Sequence, residues 1–221
     1  MKMKITHISD THNKHNQLNG LLPGGDLLIH SGDISSLGRK HEVQGFIEWF
    51  NGIDNYTNKV FIAGNHDMTF DREILLRDKL AHFEGRYFTD DDEPCAEGKP
   101  QWLEEILGNL PNGMYYLENS SIKLEGINIW GSPVSPSFGY GWGFNKDRGH
   151  DINEVWSTIP MDTDIVITHS PIYGYNDRAQ NTNENVGCAD LYHRLHEVKP
   201  HLHFAGHIHE GHGWGTIPYK D

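Results

Sequence analysis

An α/β fold built on a largely parallel sheet is predicted for this chain of 221 residues. Short apolar runs of strand length alternate with segments whose apolar residues recur at helical spacing, as in βαβ units. Five of the runs also end in polar clusters rich in His, Asp and Asn. In parallel sheets, ligands collect at the carboxyl ends of the strands.

In chain order, Lys4-Ile5-Thr6-His7-Ile8-Ser9 reads as the first strand and delivers Asp10-Thr11-His12. The run Leu27-Leu28-Ile29-His30-Ser31 delivers Gly32-Asp33. From Arg39 to Phe50, the residues Val43, Phe46, Ile47 and Phe50 mark an amphipathic helix, which Asn51-Gly52 ends. Lys59-Val60-Phe61-Ile62-Ala63 is the next strand and delivers Gly64-Asn65-His66-Asp67. A helix is expected over Arg72 to Phe83, packing through Ile74, Leu75 and Leu76. The acidic run from Asp90 to Glu93 reads as a solvated loop, and Cys95 within it lacks a basic neighbour to activate it.

Gln101 to Leu107 is read as a short helix. Met114 to Leu117, Ile122 to Leu124 and Ile127 to Trp130 are close-set strands, with turns at Asn119-Ser120 and Glu125-Gly126. Gly131 to Gly149 is rich in Gly, Pro and aromatics. It reads either as an irregular loop packing Phe138, Tyr140, Trp142 and Phe144 over the core edge, or as one wall of a substrate pocket, with Arg148 available for an anion. A helix over Ile152 to Ile159 precedes the strand Asp164 to Thr168, which delivers His169. The helix Ala189 to Val198, stopped by Pro200, leads into His201 to Ala205 and then Gly206-His207-Ile208-His209.

Composition bounds the function classes. With 36% hydrophobic residues and no repeat or linker, one domain over 1–221 is expected. No stretch approaches the roughly 20 apolar residues of a membrane span, and the chain opens without an apolar leader. Two cysteines cannot build a disulfide framework. A cytoplasmic protein with no membrane partner is expected, its oligomeric state open. A net charge of −13, from 18 basic and 31 acidic residues, argues against a long nucleic-acid track. A small anionic substrate stays compatible, because bound divalent cations reverse the local sign.

The strand-end clusters contribute Asp10, His12, Asp33, Asn65, His66, Asp67, His169, His207 and His209. Singly, each has a plain reading: Asp33 and Asn65 suit turns, and His169 can simply end a strand. Jointly, imidazole, carboxylate and amide oxygen suit a borderline or hard divalent ion, and the set is large enough for two ions sharing a carboxylate. Without cysteine, it is not a finger-type zinc site. Of the other histidines, His7, His30, His201 and His203 are expected to be packed, and His15, His41, His82, His193 and His196 solvated. His150 and His212 are expected beside the site.

The order Asp-x-His, Gly-Asp, Gly-Asn-His-Asp, His and Gly-His-x-His, from Asp10 to His209, resembles the calcineurin-like metallophosphoesterase superfamily. Gly131-Ser132-Pro133, Phe144-Asn145 with Arg148-Gly149, and Gly187-Cys188 resemble its metallophosphoesterase-domain-containing subgroup, near the class III cyclic nucleotide phosphodiesterases. The resemblance implies a two-sheet β-sandwich flanked by helices, with the three close-set strands after residue 113 in the second sheet and a dinuclear metal site at strand ends. Relatives in the family are expected to continue past the point where this chain stops.

It also implies a ligand set and a mechanism. Asp10, His12 and His209 would hold one ion, Asn65, His169 and His207 the other, and Asp33 would bridge them. Manganese is the first choice, with iron, zinc, nickel or cobalt as alternatives. A metal-bridging hydroxide would attack a small phosphodiester, such as a cyclic nucleotide. His66 would protonate the leaving oxygen, Asp67 would fix its tautomer, and Asn145 and Arg148 would meet substrate. The alternatives are a phosphomonoesterase or protein phosphatase, a nuclease of the same fold, or a catalytically silent interaction module.

Overall fold

The computed structural model describes residues 2–76, 99–139 and 141–219. Ile5–Ile8 (β1), Gly25–Ser31 (β2), Tyr56–Ile62 (β3) and Met114–Tyr116 (β4) form a sheet in that order, parallel throughout. Ser120–Leu124 (β5) and Ile127–Ser132 (β6) form an antiparallel hairpin. Its turn residues, Glu125 and Gly126, both have positive φ, at 49° and 85°, as a two-residue turn of type I′ demands. Ser135–Pro136 (β7) and Asn145–Lys146 (β8) make a small parallel ribbon of their own. Ile165–Thr168 (β9) and Leu202–Ala205 (β10) complete the second sheet, ordered β10-β9-β6-β5, with β9 parallel to both neighbours.

Side-chain alternation along the strands decides the layering. Leu27 and Ile29 of β2 and Val60 and Ile62 of β3 pack against Ile129, Ile165 and Ile167, forming the core between the sheets. Leu28 and Phe61 point the other way, onto Phe46 and Phe50 of Lys40–Gly52 (α1). The short helix Arg72–Leu76 (α2) follows β3, and Trp102 and Leu103 of Gln101–Gly108 (α3) join the same outer core. Trp130 and Val166 carry the far face of the second sheet. They meet Ile152 and Trp156 of His150–Trp156 (α4) and Leu191 and Leu195 of Ala189–Val198 (α5). The result is a helix–sheet–sheet–helix sandwich. Central strands buried on both faces read as continuous apolar runs, which is why these were visible in the sequence. Each fully buried Leu or Ile contributes roughly 1.5–3 kcal/mol.

Both ends of α1 are closed by buried charge. Glu42 accepts from the Leu37 and Arg39 backbone N–H groups at 3.1 and 2.9 Å. At the other end, Lys59 Nζ, on the helix-facing side of β3, donates to the carbonyls of Phe50, Asn51 and Ile53 at 2.9, 3.0 and 2.5 Å. Lys59→Met is expected to cost about 2–3 kcal/mol, read as a lower urea midpoint at unchanged slope, because charged hydrogen bonds to otherwise orphaned carbonyls are lost.

Three expectations change. The strand predicted over Met114 to Leu117 belongs to the first sheet: Met114–Tyr116 pairs with Lys59–Phe61 of β3. Only the following two strands of that group enter the second sheet. His15 is buried against Phe46 and Trp49 rather than solvated, because a 3-10 turn at His15–Leu18 folds back onto α1. His201 is exposed, since it precedes β10. The helix expected to Phe83 is described over Arg72–Leu76, and its remainder, the acidic run, Cys95 and Tyr140 lie outside the described residues. Among the described residues no helix is long and apolar enough to cross a membrane.

Candidate metal centre

The carboxyl ends of β1, β2 and β3 in one sheet and of β9 and β10 in the other meet at a single seam. Asp10 and His12 follow β1, Asp33 follows β2, and Asn65 and His66 follow β3. His169 directly follows β9, and His207 and His209 follow β10. The chain turns sharply after β1, β2 and β10. Asp10, His12, Asp33 and His207 hold φ values of 52°, 41°, 55° and 69°, a left-handed conformation costly for side-chain-bearing residues. Two glycines make room: a Cβ on Gly64 would strike the Asp33 carboxylate and the His169 ring, and one on Gly206 would strike the Asp10 carboxylate.

Among the described residues, three groups of ligand atoms, each within 4.8 Å of one another, emerge: Asp10, His12 and His209; Asp10, Asp33 and His169; and His12, Asp33 and His66. His12 Nε2 and His209 Nε2 stand 3.2 Å apart, and Asp10 Oδ1 is 3.5 Å from His209 Nε2. Asp33 Oδ2 lies 3.7 Å from His12 Nε2 and 3.5 Å from His169 Nε2, reaching toward both halves of the site. Asn65 Oδ1 is 2.9 Å from His169 Nε2. The His207 ring packs 5.0 Å from that of His169, and its backbone N–H donates to both Asp10 oxygens at 3.0 Å. All seven residues expected as ligands therefore converge.

The electrostatics fit a cation. Burial alone would push Asp10 and Asp33 toward neutrality. His209 and His169 oppose this at Asp10, and His169 at Asp33, so both carboxyls stay below their ordinary range. Burial pushes His12 down and His207 down to about 4, favouring the neutral imidazole a metal needs. His169 is the counterweight: burial works against its charge, but Asp33 raises it to about 9. Two ionised carboxylates, a set of imidazoles of which His12 and His207 are held neutral, and an amide oxygen form a donor set suited to divalent ions.

A pH prediction follows for the metal-free chain. A histidine raised above its unfolded value of 6.5 contributes stability that is fully present below 6.5 and lost as pH climbs through 9. Chelator-treated protein is therefore expected to show a falling melting temperature from about pH 7.5 to 9, above the range where His7, His30, His203 and His207, held neutral by burial, work in the opposite sense. Metal binding near pH 7.5 should release the His169 proton, detectable by titration calorimetry in buffers of differing ionisation enthalpy. A flat melting profile with no proton release would contradict this.

The His66 ring is oriented differently from expectation. Its Nδ1 donates to the Ser36 carbonyl at 2.8 Å, and its backbone N–H donates to Asp33 Oδ1 at 2.8 Å. The Asp67 carboxylate, expected to set the His66 tautomer, is occupied elsewhere. It accepts from the N–H groups of Ile34, Ser35 and Gly64 at 3.1, 2.9 and 2.8 Å and from the Ser35 hydroxyl at 2.5 Å. Asp67 thus ties the loop after β2 to the loop after β3, and the backbone of Ser36 takes the orienting role. A carbonyl has no signature in a sequence; the nearest hint is the Ser35-Ser36 pair that follows Asp33.

The two residues expected to meet substrate make internal contacts. Arg148 donates to the carbonyls of Gly187 and Val186 at 2.8 and 2.7 Å. Asn145 accepts from Phe138 N–H at 2.9 Å and donates to the Gly143 carbonyl at 2.8 Å. His150 is exposed and paired with Asp151 and Glu154 on its own helix, and His212 is also exposed. The aromatic segment does reach the site: Trp142 lies 4.4 Å from His66 and Phe138 4.7 Å from His207, measured between ring centroids.

The profile of the calcineurin-like phosphoesterase family matches residues 3–211, and the chain belongs to that family. Among curated relatives it is similar to the metallophosphoesterase domain-containing protein 1 of Homo sapiens and Mus musculus, 40% identical over 216 residues. The match takes in 96% of this chain but 63% of either protein, so the chain spans less than two thirds of those relatives' length. A UPF0046 protein of Caenorhabditis elegans is 34% identical over 209 residues, 90% of this chain and 49% of that protein. A solved structure from Thermus thermophilus superposes with a TM-score of 0.57 at 10% identity, covering 91% of this chain and 80% of that one, a likeness of fold.

Proposed function

We propose that this domain hydrolyses a small phosphodiester, with cyclic nucleotides as candidate substrates, using two divalent ions. The observation that carries the reading is Asp33, a buried carboxylate reaching His12 on one side and His169 on the other. Asp10, His12 and His209 are assigned to one ion, Asn65, His169 and His207 to the second, with Asp33 shared. When bound, such ions supply charge for the phosphoryl oxygens and an activated water. The chain's own part is to hold these ligands at a fixed spacing and keep the carboxylates ionised. It also presents His66 with its Nε2 left to face the leaving oxygen. Manganese is the first choice, with iron, zinc, nickel or cobalt as alternatives.

The test is a metal-by-substrate screen: bis(p-nitrophenyl) phosphate, p-nitrophenyl phosphate, 2′,3′- and 3′,5′-cyclic nucleotides and single-stranded DNA, each with manganese and after chelation. Diester hydrolysis that returns with manganese is expected. Full activity in chelator-stripped protein would overturn the mechanism, and turnover of monoesters alone would overturn the diester assignment.

A further inference from the structure

We infer that Trp142 is a positioning residue that holds the His66 imidazole in its working orientation; the inference rests on the hydrolase reading above. The His66 ring is fixed on three sides. Nδ1 donates to the Ser36 carbonyl, and His12 meets the ring edge-on at 4.5 Å and 76°. Trp142 lies 4.4 Å away at 42°. The Ser36 carbonyl anchors Nδ1, and the two flanking rings pack against the imidazole and limit its excursions, Trp142 from the side of the aromatic segment.

The segment bearing Trp142 is built to reach His66. Gly143 N–H donates to the Asn65 carbonyl at 3.0 Å, joining the residue after Trp142 to the residue before His66. A Cβ on Gly143 would come 3.2 Å from that carbonyl, so the close approach suits glycine. Phe144 takes a left-handed φ of 56°, and its N–H donates to the buried Asp71 carboxylate at 2.6 Å. Phe138, held by Asn145, stacks toward Trp142 with centroids 6.5 Å apart and rings 19° from parallel. Asn145 thus acts on the aromatic segment.

The step served is balanced as follows. Water oxygen bonds to phosphorus and the bond from phosphorus to the leaving oxygen breaks, its electron pair staying on that oxygen. The leaving oxygen takes a proton from His66 Nε2 while Nδ1 stays on the Ser36 carbonyl, and the proton shed by water restores His66 to its starting form. Such transfer is sensitive to direction and distance.

The experiment compares methyl phenyl phosphate with methyl p-nitrophenyl phosphate, the same diester with a poor and a good leaving group. Trp142→Ala is expected to lower kcat on the phenyl ester about 10–100-fold and on the nitrophenyl ester less than about 3-fold, with Trp142→Phe recovering most of the loss. In a His66→Asn background, Trp142→Ala should cost nothing more. Independently of activity, ¹⁵N-histidine NMR of the metal-free protein should show one set of His66 ring signals in wild type. In Trp142→Ala its signals should shift or broaden. Equal losses on both esters, an additive double variant, or unchanged His66 signals would each overturn the inference. A wild-type protein inactive on both esters with every metal would instead count against the hydrolase reading, and the NMR arm would still judge the Trp142–His66 contact.

Discussion

Asp33→Asn is expected to lower kcat/KM on a manganese-dependent diester substrate on the order of 10³-fold, equivalent to about 4 kcal/mol of barrier. The substitution keeps the shape and leaves an oxygen to accept from His66 N–H, as Oδ1 does now at 2.8 Å. It removes the negative charge between His12 and His169. Elemental analysis should find fewer bound ions than in wild type. The pH effect on stability should shrink as well, because the Asp33 charge is what holds His169 protonated against its burial. An Asp33→Asn protein with a full metal complement and wild-type kcat/KM would remove the central residue from the account.

His66→Asn is expected to cost about 10²–10⁴-fold in kcat on esters with poor leaving groups, the range for a positioned general acid. Metal content decides how that loss is read. His66 lies within the same ligand-atom range as His12 and Asp33, so geometry permits it as a ligand. An unchanged ion count with a reduced kcat supports the proton-donor role. A lost ion would make His66 a ligand and remove it as the acid.

What could be read from the sequence divides by the range of the interaction involved. The convergence of the expected ligand residues is legible because each follows an apolar run that has to be a buried strand, and strand ends in such sheets share a side. The helices α1 and α5 were legible from apolar spacing and from their terminal residues: Lys199, left-handed at φ 54°, ends α5 just before Pro200. The sequence marks Met114–Tyr116 as a strand but suggests the wrong sheet, because its parallel pairing with β3 joins residues 55 positions apart (Lys59 with Met114) and carries no local signal. Asp67 shows the same limit. Its neighbour in sequence is His66, yet its partners are backbone N–H groups of two loops. Arg148 looked free for an anion, and carbonyls nearly forty residues away take up its guanidinium.

The seam between the sheets also bears on how the chain holds together. His12 and His209 are 197 residues apart in sequence yet 3.2 Å apart in space. An ion gripped by Asp10, His12 and His209 would close a loop over most of the polypeptide, much as a disulfide does. Chain entropy puts a loop of that size at roughly 5 kcal/mol of stabilisation, drawn from the freedom denied to the unfolded state. The cations would then serve as a clasp as well as a reaction centre. Starving the protein of them would loosen the union of its first and last strands before disturbing the interior of either sheet.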